Sequence, residues 1–193
     1  SGDEALRKLR REEPWIGEPN KGGGGLIPLR RPYDRFTAPG VALLGDAACM
    51  VFPAHGSGIA NGLVAARMLT EAVAGQADPG DPDVLWAYQA RFQKTLGAEL
   101  AAYDVFRRLS QTMKPDDIDD MLFSGITTRN TARAAIVQSL PRPSVGEFVK
   151  AMLPGMARSP RLAGQLLPWA GRMMVIVALY QRYPACRSSR KFN

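Results

Sequence analysis

Residues 41–73 read VALLGDAACMVFPAHGSGIANGLVAARMLTEAV, and the order of elements within them decides the fold class. Val41-Ala42-Leu43-Leu44 is apolar on both faces, which predicts a buried strand of the parallel kind. Gly45 lets the backbone turn, and Asp46 then stands just past the strand's carboxyl end, where open α/β sheets bind ligands. Ile59–Ala74 reads as a helix, with Leu63, Ala66, Leu69 and Val73 on its apolar face and Gly75 at its stop. The segment Pro53-Ala54-His55-Gly56-Ser57-Gly58-Ile59 opens that helix. Glycines at a helix start remove side chains, so backbone N–H groups can approach a planar ligand. The helix dipole adds about half a positive charge at the same place.

A carboxylate after the strand suits polyol hydroxyls, and a bare helix start suits an electron-rich heteroaromatic edge. A flavin meets both demands: its ribityl chain offers hydroxyls to Asp46, and its N1 and C2=O edge takes up negative charge on reduction. Gly45-Asp46-Ala47-Ala48, followed by Pro53, Gly56, Gly58 and Ile59, resembles the second FAD motif of the flavoprotein monooxygenase and reductase superfamily. The spacing Pro-x-x-Gly-x-Gly-Ile, the upstream Gly-Gly-Leu-Ile-Pro-Leu and the downstream Ala65-Ala66 are most similar to the geranylgeranyl reductase family, over about residues 24–75. The resemblance implies FAD as cofactor, with Asp46 at the ribityl chain and Gly45 and Ala47 beside it among the cofactor-binding residues. It implies that Gly56, Ser57, Gly58, Ile59 and Ala60 present backbone to the ring, and that Pro53 shapes the wall beside it. It further implies hydride passing through flavin N5 to an unsaturated, prenyl-like substrate. A flavin monooxygenase or halogenase of the same superfamily is the alternative, and a non-catalytic assembly subunit that keeps the fold is the third reading.

Three features depart from that pattern. Cys49 follows GDAA where the family has glycine, and Ser57 stands where it often has an acid. The strand–GxGxxG–helix unit that holds the ADP half of FAD is missing. Gly22–Gly25 has no apolar strand before it, and Gly56-Ser57-Gly58-Ile59-Ala60-Asn61 carries Asn in place of the third glycine. The expectation is therefore an α/β fragment that is mostly α: the last strand and helix of a Rossmann-like FAD domain, followed by a helical C-terminal subdomain. A second chain, or a preceding half of a parent polypeptide, would carry the GxGxxG unit and the other strands.

Outward from the motif, Leu26-Ile27-Pro28-Leu29 reads as a short edge strand and Ser1–Glu18 as a short helix or frayed end. Gln76–Asp83 is a Pro- and Gly-containing linker, which divides the chain into residues 1–78 and a basic helical part, 79–193. Leu85, Tyr88, Phe92, Leu96, Leu100, Tyr103, Phe106, Leu109 and Met113 recur at helical spacing and predict one long helix ending before Pro115. Shorter helices are expected at Asp116–Phe123 and Thr131–Leu140, another opening at Ser144-Val145-Gly146-Glu147, and a last one at Trp169–Tyr183.

The 193 residues are 46% apolar and 22% charged, a globular composition that excludes a disordered or coiled-coil chain. The longest apolar run, Met173–Tyr180, falls short of the roughly 18 residues a membrane span needs. Ser1–Glu13 is charged and has no apolar stretch of the secretory kind. Two cysteines, Cys49 and Cys186, make no disulfide framework, so a reduced, cytoplasmic setting is the expectation. The net charge of +7 is uneven: residues 129–193 hold eleven Lys and Arg against one acid, Glu147. Such a segment seeks an anionic partner, a membrane surface or an acidic protein face, and Trp169, Met173, Met174, Ile176, Val177 and Tyr180 near Arg172 and Arg182 suggest a helix lying peripherally at the interface. No arginine-rich run or nucleic-acid motif is present, so nucleic acid is not the expected partner.

His55, the only histidine, and Cys49 are the weak catalytic candidates, one as a proton relay and the other as a redox thiol. The plainer readings are a structural histidine and a small buried side chain. The aromatics of the long helix read as core. Asp116-Asp117-Ile118-Asp119-Asp120 lacks the glycine and distal glutamate of a calcium loop and reads as a solvated helix start, so no metal site is expected.

Overall fold

A computed structural model describes residues 2–18, 21–22, 25–123, 129–137, 153, 157 and 159–187. The fold is mostly helical, with one two-stranded sheet. Helix α1 (Gly2–Glu12) has no buried residue. Strands β1 (Thr37–Ala38) and β2 (Val41–Ala42) follow, then a 3₁₀ turn over Gly45–Ala48 and helix α2 (Ile59–Val73). Helix α3 (Pro82–Phe92) passes through a π-helical turn (Gln93–Gly97) into α4 (Ala98–Ser110). Helices α5 (Pro115–Phe123), α6 (Arg129–Ile136) and α7 (Pro160–Gln181) complete the described chain. The helix expected at Ser144 lies outside the described residues.

The predicted parallel strand is the main correction. Val41 and Ala42 pair antiparallel with Ala38 and Thr37, and Leu43 N–H donates to Phe36 O at 2.8 Å. Pro39-Gly40 is the pair a type II turn requires, and Gly40 has φ +70°. Val41 is half exposed, so its faces are not covered as in a parallel sheet. An apolar run states what a segment prefers to bury, not which neighbour buries it, and the described residues supply no parallel partner. The expected strand at Leu26–Leu29 is absent too. Leu29 N–H donates to Ile27 O and Arg30 N–H to Pro28 O, both at 2.8 Å, so the backbone bonds to itself in tight turns.

The hairpin sits on α3 through one buried amide. Gln89 Oε1 accepts from the N–H groups of Phe36 (2.7 Å) and Thr37 (3.1 Å) and from Thr37 Oγ1 (3.1 Å). Its Nε2 donates to the Tyr183 hydroxyl at 2.7 Å, which donates to Asp34 O at 2.7 Å. Trp86 stacks on Tyr183 and gives its Nε1–H to Pro184 O at 3.0 Å, so the end of α7 folds back onto α3. Burial raises the Tyr183 phenol to about 12. One hydrophobic core joins Phe36, Met50, Phe52 and Met68 with Tyr88, Phe92, Leu100 and Tyr103.

The long helical run forms as expected, with a local change of winding. Gln93 is buried, and its Nε2 donates to Tyr33 O at 2.8 Å. A β-carbon on Gly97 would press on Gln93 Oε1, so a larger residue there would make the Gln93 amide shift. Lys94 O accepts from Gln181 Nε2 of α7 at 2.7 Å. Pro115 opens α5 rather than merely ending α4, as proline does at a first helical position.

Helix α7 begins at Pro160, earlier than the sequence suggested, and continues through Pro168. Leu162 and Ala163 are fully buried and hold its first turns down, so Pro168 falls inside the helix rather than at its start. Arg161 pairs with the buried Asp117 of α5, and Ser159 Oγ donates to Asp120 Oδ2 at 2.7 Å. The acidic cluster at 116–120 therefore anchors α7; it is not simply a solvated helix start. Across its 22 residues α7 is long and apolar enough to cross a membrane, which the longest unbroken apolar run did not indicate.

Candidate functional site

The residues after β2 fold into a tight corner. Gly45 has φ +59°, and the 3₁₀ turn closes with Cys49 N–H on Asp46 O (3.0 Å) and Met50 N–H on Gly45 O (2.9 Å). Cys49 is the one described non-glycine residue with positive φ, +56°. That explains why glycine suits the position after GDAA: the left-handed backbone there costs a residue with a β-carbon about 1–2 kcal/mol. The thiol is buried beneath the turn.

A second turn follows at once. Phe52 N–H donates to Ser57 O at 2.8 Å, and Gly56 N–H to Phe52 O at 2.9 Å, with Gly56 at φ +77°. A β-carbon on Gly56 would touch Leu29 Cδ2 and Ile27 Cδ1, so the apolar 26–29 segment lies against this turn. Pro53 is fully buried. His55 is exposed and lies on Phe52, ring centroids 4.5 Å apart, with Phe52 in turn against Tyr103.

The two turns bring the predicted halves of the site together. A β-carbon built on Gly58 would lie 3.1 Å from Asp46 Oδ1, so the carboxylate stands at the start of α2. One turn on, a β-carbon on Gly62 would lie 3.8 Å from Gly45 Cα. Asp46, Ala47, Ile59 and Ala60 are all exposed, whereas Ala48 is buried. No side chain caps α2 and no acid lies in its first turn. The first N–H to find a helical acceptor is that of Gly62, on Gly58 O at 2.8 Å; those of Ile59, Ala60 and Asn61 precede it.

Asn61 adds a donor that the sequence reading treated only as a failed glycine. It is buried, and its Nδ2 has no hydrogen-bond partner. The signal was available: a polar residue on the face that Ala65 and Met68 bury. That face is itself a correction, because Leu63, assigned to the buried side, is 68% exposed. Asn61, Ala65 and Met68 carry the burial, and Ile59 and Leu63 form an exposed apolar stripe on the other side of α2.

The corner thus combines a carboxylate acceptor, backbone donors of the first turn of α2 and exposed apolar side chains, a donor and acceptor set that fits the ribityl chain and pyrimidine edge of a flavin. It is an open face. Two clefts lie away from it, one of about 530 Å³ between the π-helical turn and α7 (Lys94, Leu96, Val177, Gln181) and one beside Trp86 (Arg35, Thr37, Arg187).

No protein-family model matches the chain. It is 29% identical over 169 residues, 86% of its length, to a digeranylgeranylglycerophospholipid reductase of Sulfolobus acidocaldarius. The chain is a homologue of the geranylgeranyl reductases. A second such reductase, from Methanothrix thermoacetophila, is 32% identical over 52% of the chain, and a menaquinone reductase of Mycolicibacterium smegmatis is 42% identical over 33% of it. The matches cover 37%, 26% and 16% of those three proteins, so the chain spans well under half the length of these relatives, and its match to the reductases falls in their C-terminal part.

Proposed function

We propose that this chain is the C-terminal part of an FAD-dependent reductase of an apolar, prenyl-like substrate, and that its Gly45–Ala60 corner closes one side of the flavin site. The observation that carries the reading is the Asp46 carboxylate beside Gly58 at an uncapped helix start. Relatives that are reductases of a digeranylgeranylglycerophospholipid and of menaquinone support it over the oxygenase alternative.

FAD, when bound, would supply a hydride acceptor and donor at N5. Asp46 and the neighbouring Gly45 and Ala47 would hold the ribityl hydroxyls, the carboxylate accepting their hydrogen bonds. The N–H groups of Ile59 and Ala60, with the positive end of α2, would face the pyrimidine edge and favour negative charge there. Gly56 and Gly58 keep the approach free of side chains, and Ser57 holds the turn through its backbone carbonyl. Ile59 and Leu63 offer apolar surface that excludes water beside the ring. The GxGxxG unit for the ADP half would come from the remainder of the reductase. In this reading residues 1–78 complete the FAD-binding domain and 79–193 form the helical subdomain.

The test is flavin retention in the reductase that contains this chain. The purified protein should be yellow, and Asp46→Ala should weaken FAD binding by about tenfold, the equivalent of one lost hydrogen bond to a charged group. Unaltered occupancy in a folded Asp46→Ala protein, or a colourless native complex, would overturn the assignment; the latter would favour the non-catalytic reading.

A further inference from the structure

By length and composition α7 qualifies as a membrane-crossing helix, but polar contacts tie both of its ends to the rest of the fold. Arg161 at its start is paired with Asp117. At its end, Gln181 holds Lys94 O and Tyr180 takes a hydrogen bond from Arg31 at 3.4 Å. Its inner face packs along α4, which carries Asp104, Arg107 and Arg108 in one ion-pair network. A spanning α7 would drag these charges into hydrocarbon. Among the described residues, the outer face of α7 is the one left uncovered.

That face is apolar along most of its length. Leu167, Met174, Val175 and Leu179 are 43%, 75%, 59% and 58% exposed, and Gly171 and Ala178 lie open between them. Of the side chains expected at the interface only Met174 is exposed; Trp169, Met173, Ile176, Val177 and Tyr180 are half-buried. Exposed Arg172 and Arg182 flank the stripe, Arg172 lying over the Trp169 ring at 4.7 Å. From residue 159 to 187 the sequence contains no Asp or Glu.

We propose that this outer face of α7 docks the protein on an anionic lipid bilayer, with Met174, Val175 and Leu179 entering the acyl boundary and Arg172 and Arg182 reaching the headgroups. Charge selects the occupant. A second copy would bring the same arginines, and the same acid-free stretch, against each other. An anionic membrane offers both the apolar layer and the counter-charge, and long arginine stems let the guanidinium groups reach headgroups while the helix lies in the plane. The proposal does not rest on the flavin assignment.

Vesicle flotation of the whole protein tests it. The protein should float with phosphatidylcholine vesicles containing phosphatidylglycerol, much less with phosphatidylcholine alone, and less as salt rises. Met174→Asp and Val175→Asp should each lower partitioning by about tenfold, and Arg172→Gln and Arg182→Gln by about fivefold each. As a second readout, Val175→Cys in a Cys186→Ser background, labelled with a polarity-sensitive dye, should shift to the blue only on the anionic vesicles. Absence of flotation, flotation unaffected by the aspartate substitutions, or a dye that stays aqueous on floating protein would each overturn the proposal. So would a change of oligomeric state in Met174→Asp with vesicle binding intact, which would identify a second copy as the occupant.

Discussion

The Asp46 carboxylate stands against the bare backbone of Gly58, 3.1 Å from where a β-carbon would be, with Val51 Cγ2 at 3.3 Å on the other side. Both contacts are closer than side chains normally tolerate. Gly58→Ala should therefore push the carboxylate out of position, at a cost of about 1–2 kcal/mol in stability from overpacking. Its FAD affinity should fall by more than its stability accounts for. Chemical denaturation and flavin titration of the same protein, measured side by side, check this.

Gln89 carries a larger structural load than its polarity suggests. Gln89→Leu would strip the acceptor from the buried N–H groups of Phe36 and Thr37 and the donor from Tyr183. The expected loss is about 3 kcal/mol, the sum of unsatisfied buried groups. Thr37→Val, which removes only the hydroxyl's bond, should cost about 1 kcal/mol. The ranking is read from urea midpoints.

Cys49 tests the strained turn. In a helix glycine is less stable than alanine by about 1 kcal/mol. At φ +56° the order should reverse or vanish, with Cys49→Gly at least as stable as Cys49→Ala, because glycine relieves the left-handed strain. Thermal unfolding of the two variants decides it.

Asp117 makes the α5–α7 junction acid-sensitive. The Lys114 N–H, at 3.0 Å, and the Arg161 guanidinium hold its carboxyl below the usual aspartate range. A depressed carboxyl stabilises the fold above its unfolded value and ceases to do so as pH falls through its folded one. Wild type should thus be more stable than Asp117→Asn at neutral pH, and the gap should close below about pH 4. Urea unfolding of both proteins across that range checks the sign.

Local chemistry made much of this legible. The order Gly-Asp, two spaced glycines, then a helix start was readable in the sequence because each residue there acts on its own backbone. The helical periodicity from Leu85 to Met113 survived the π-helical turn, since the buried positions on both sides still recur at three and four. Charge was legible too: the acid-free stretch around α7 is a property of composition.

Pairing and coverage were not legible. Val41–Leu44 is equally apolar as a central strand or as one arm of a hairpin, and only the Gln89 amide and the Pro39-Gly40 turn settle which it is here. Leu63 and Val175 are as apolar as Met68 and Leu162, yet the first pair is exposed and the second buried. By itself the sequence determined the backbone conformations and chemical groups available at the Asp46 corner. The tertiary structure alone decided that Asp46 meets Gly58, that the Asn61 Nδ2 is buried without a hydrogen-bond partner, and that α7 keeps one face exposed. Backbone preferences act over a few residues, whereas burial depends on which distant surfaces meet.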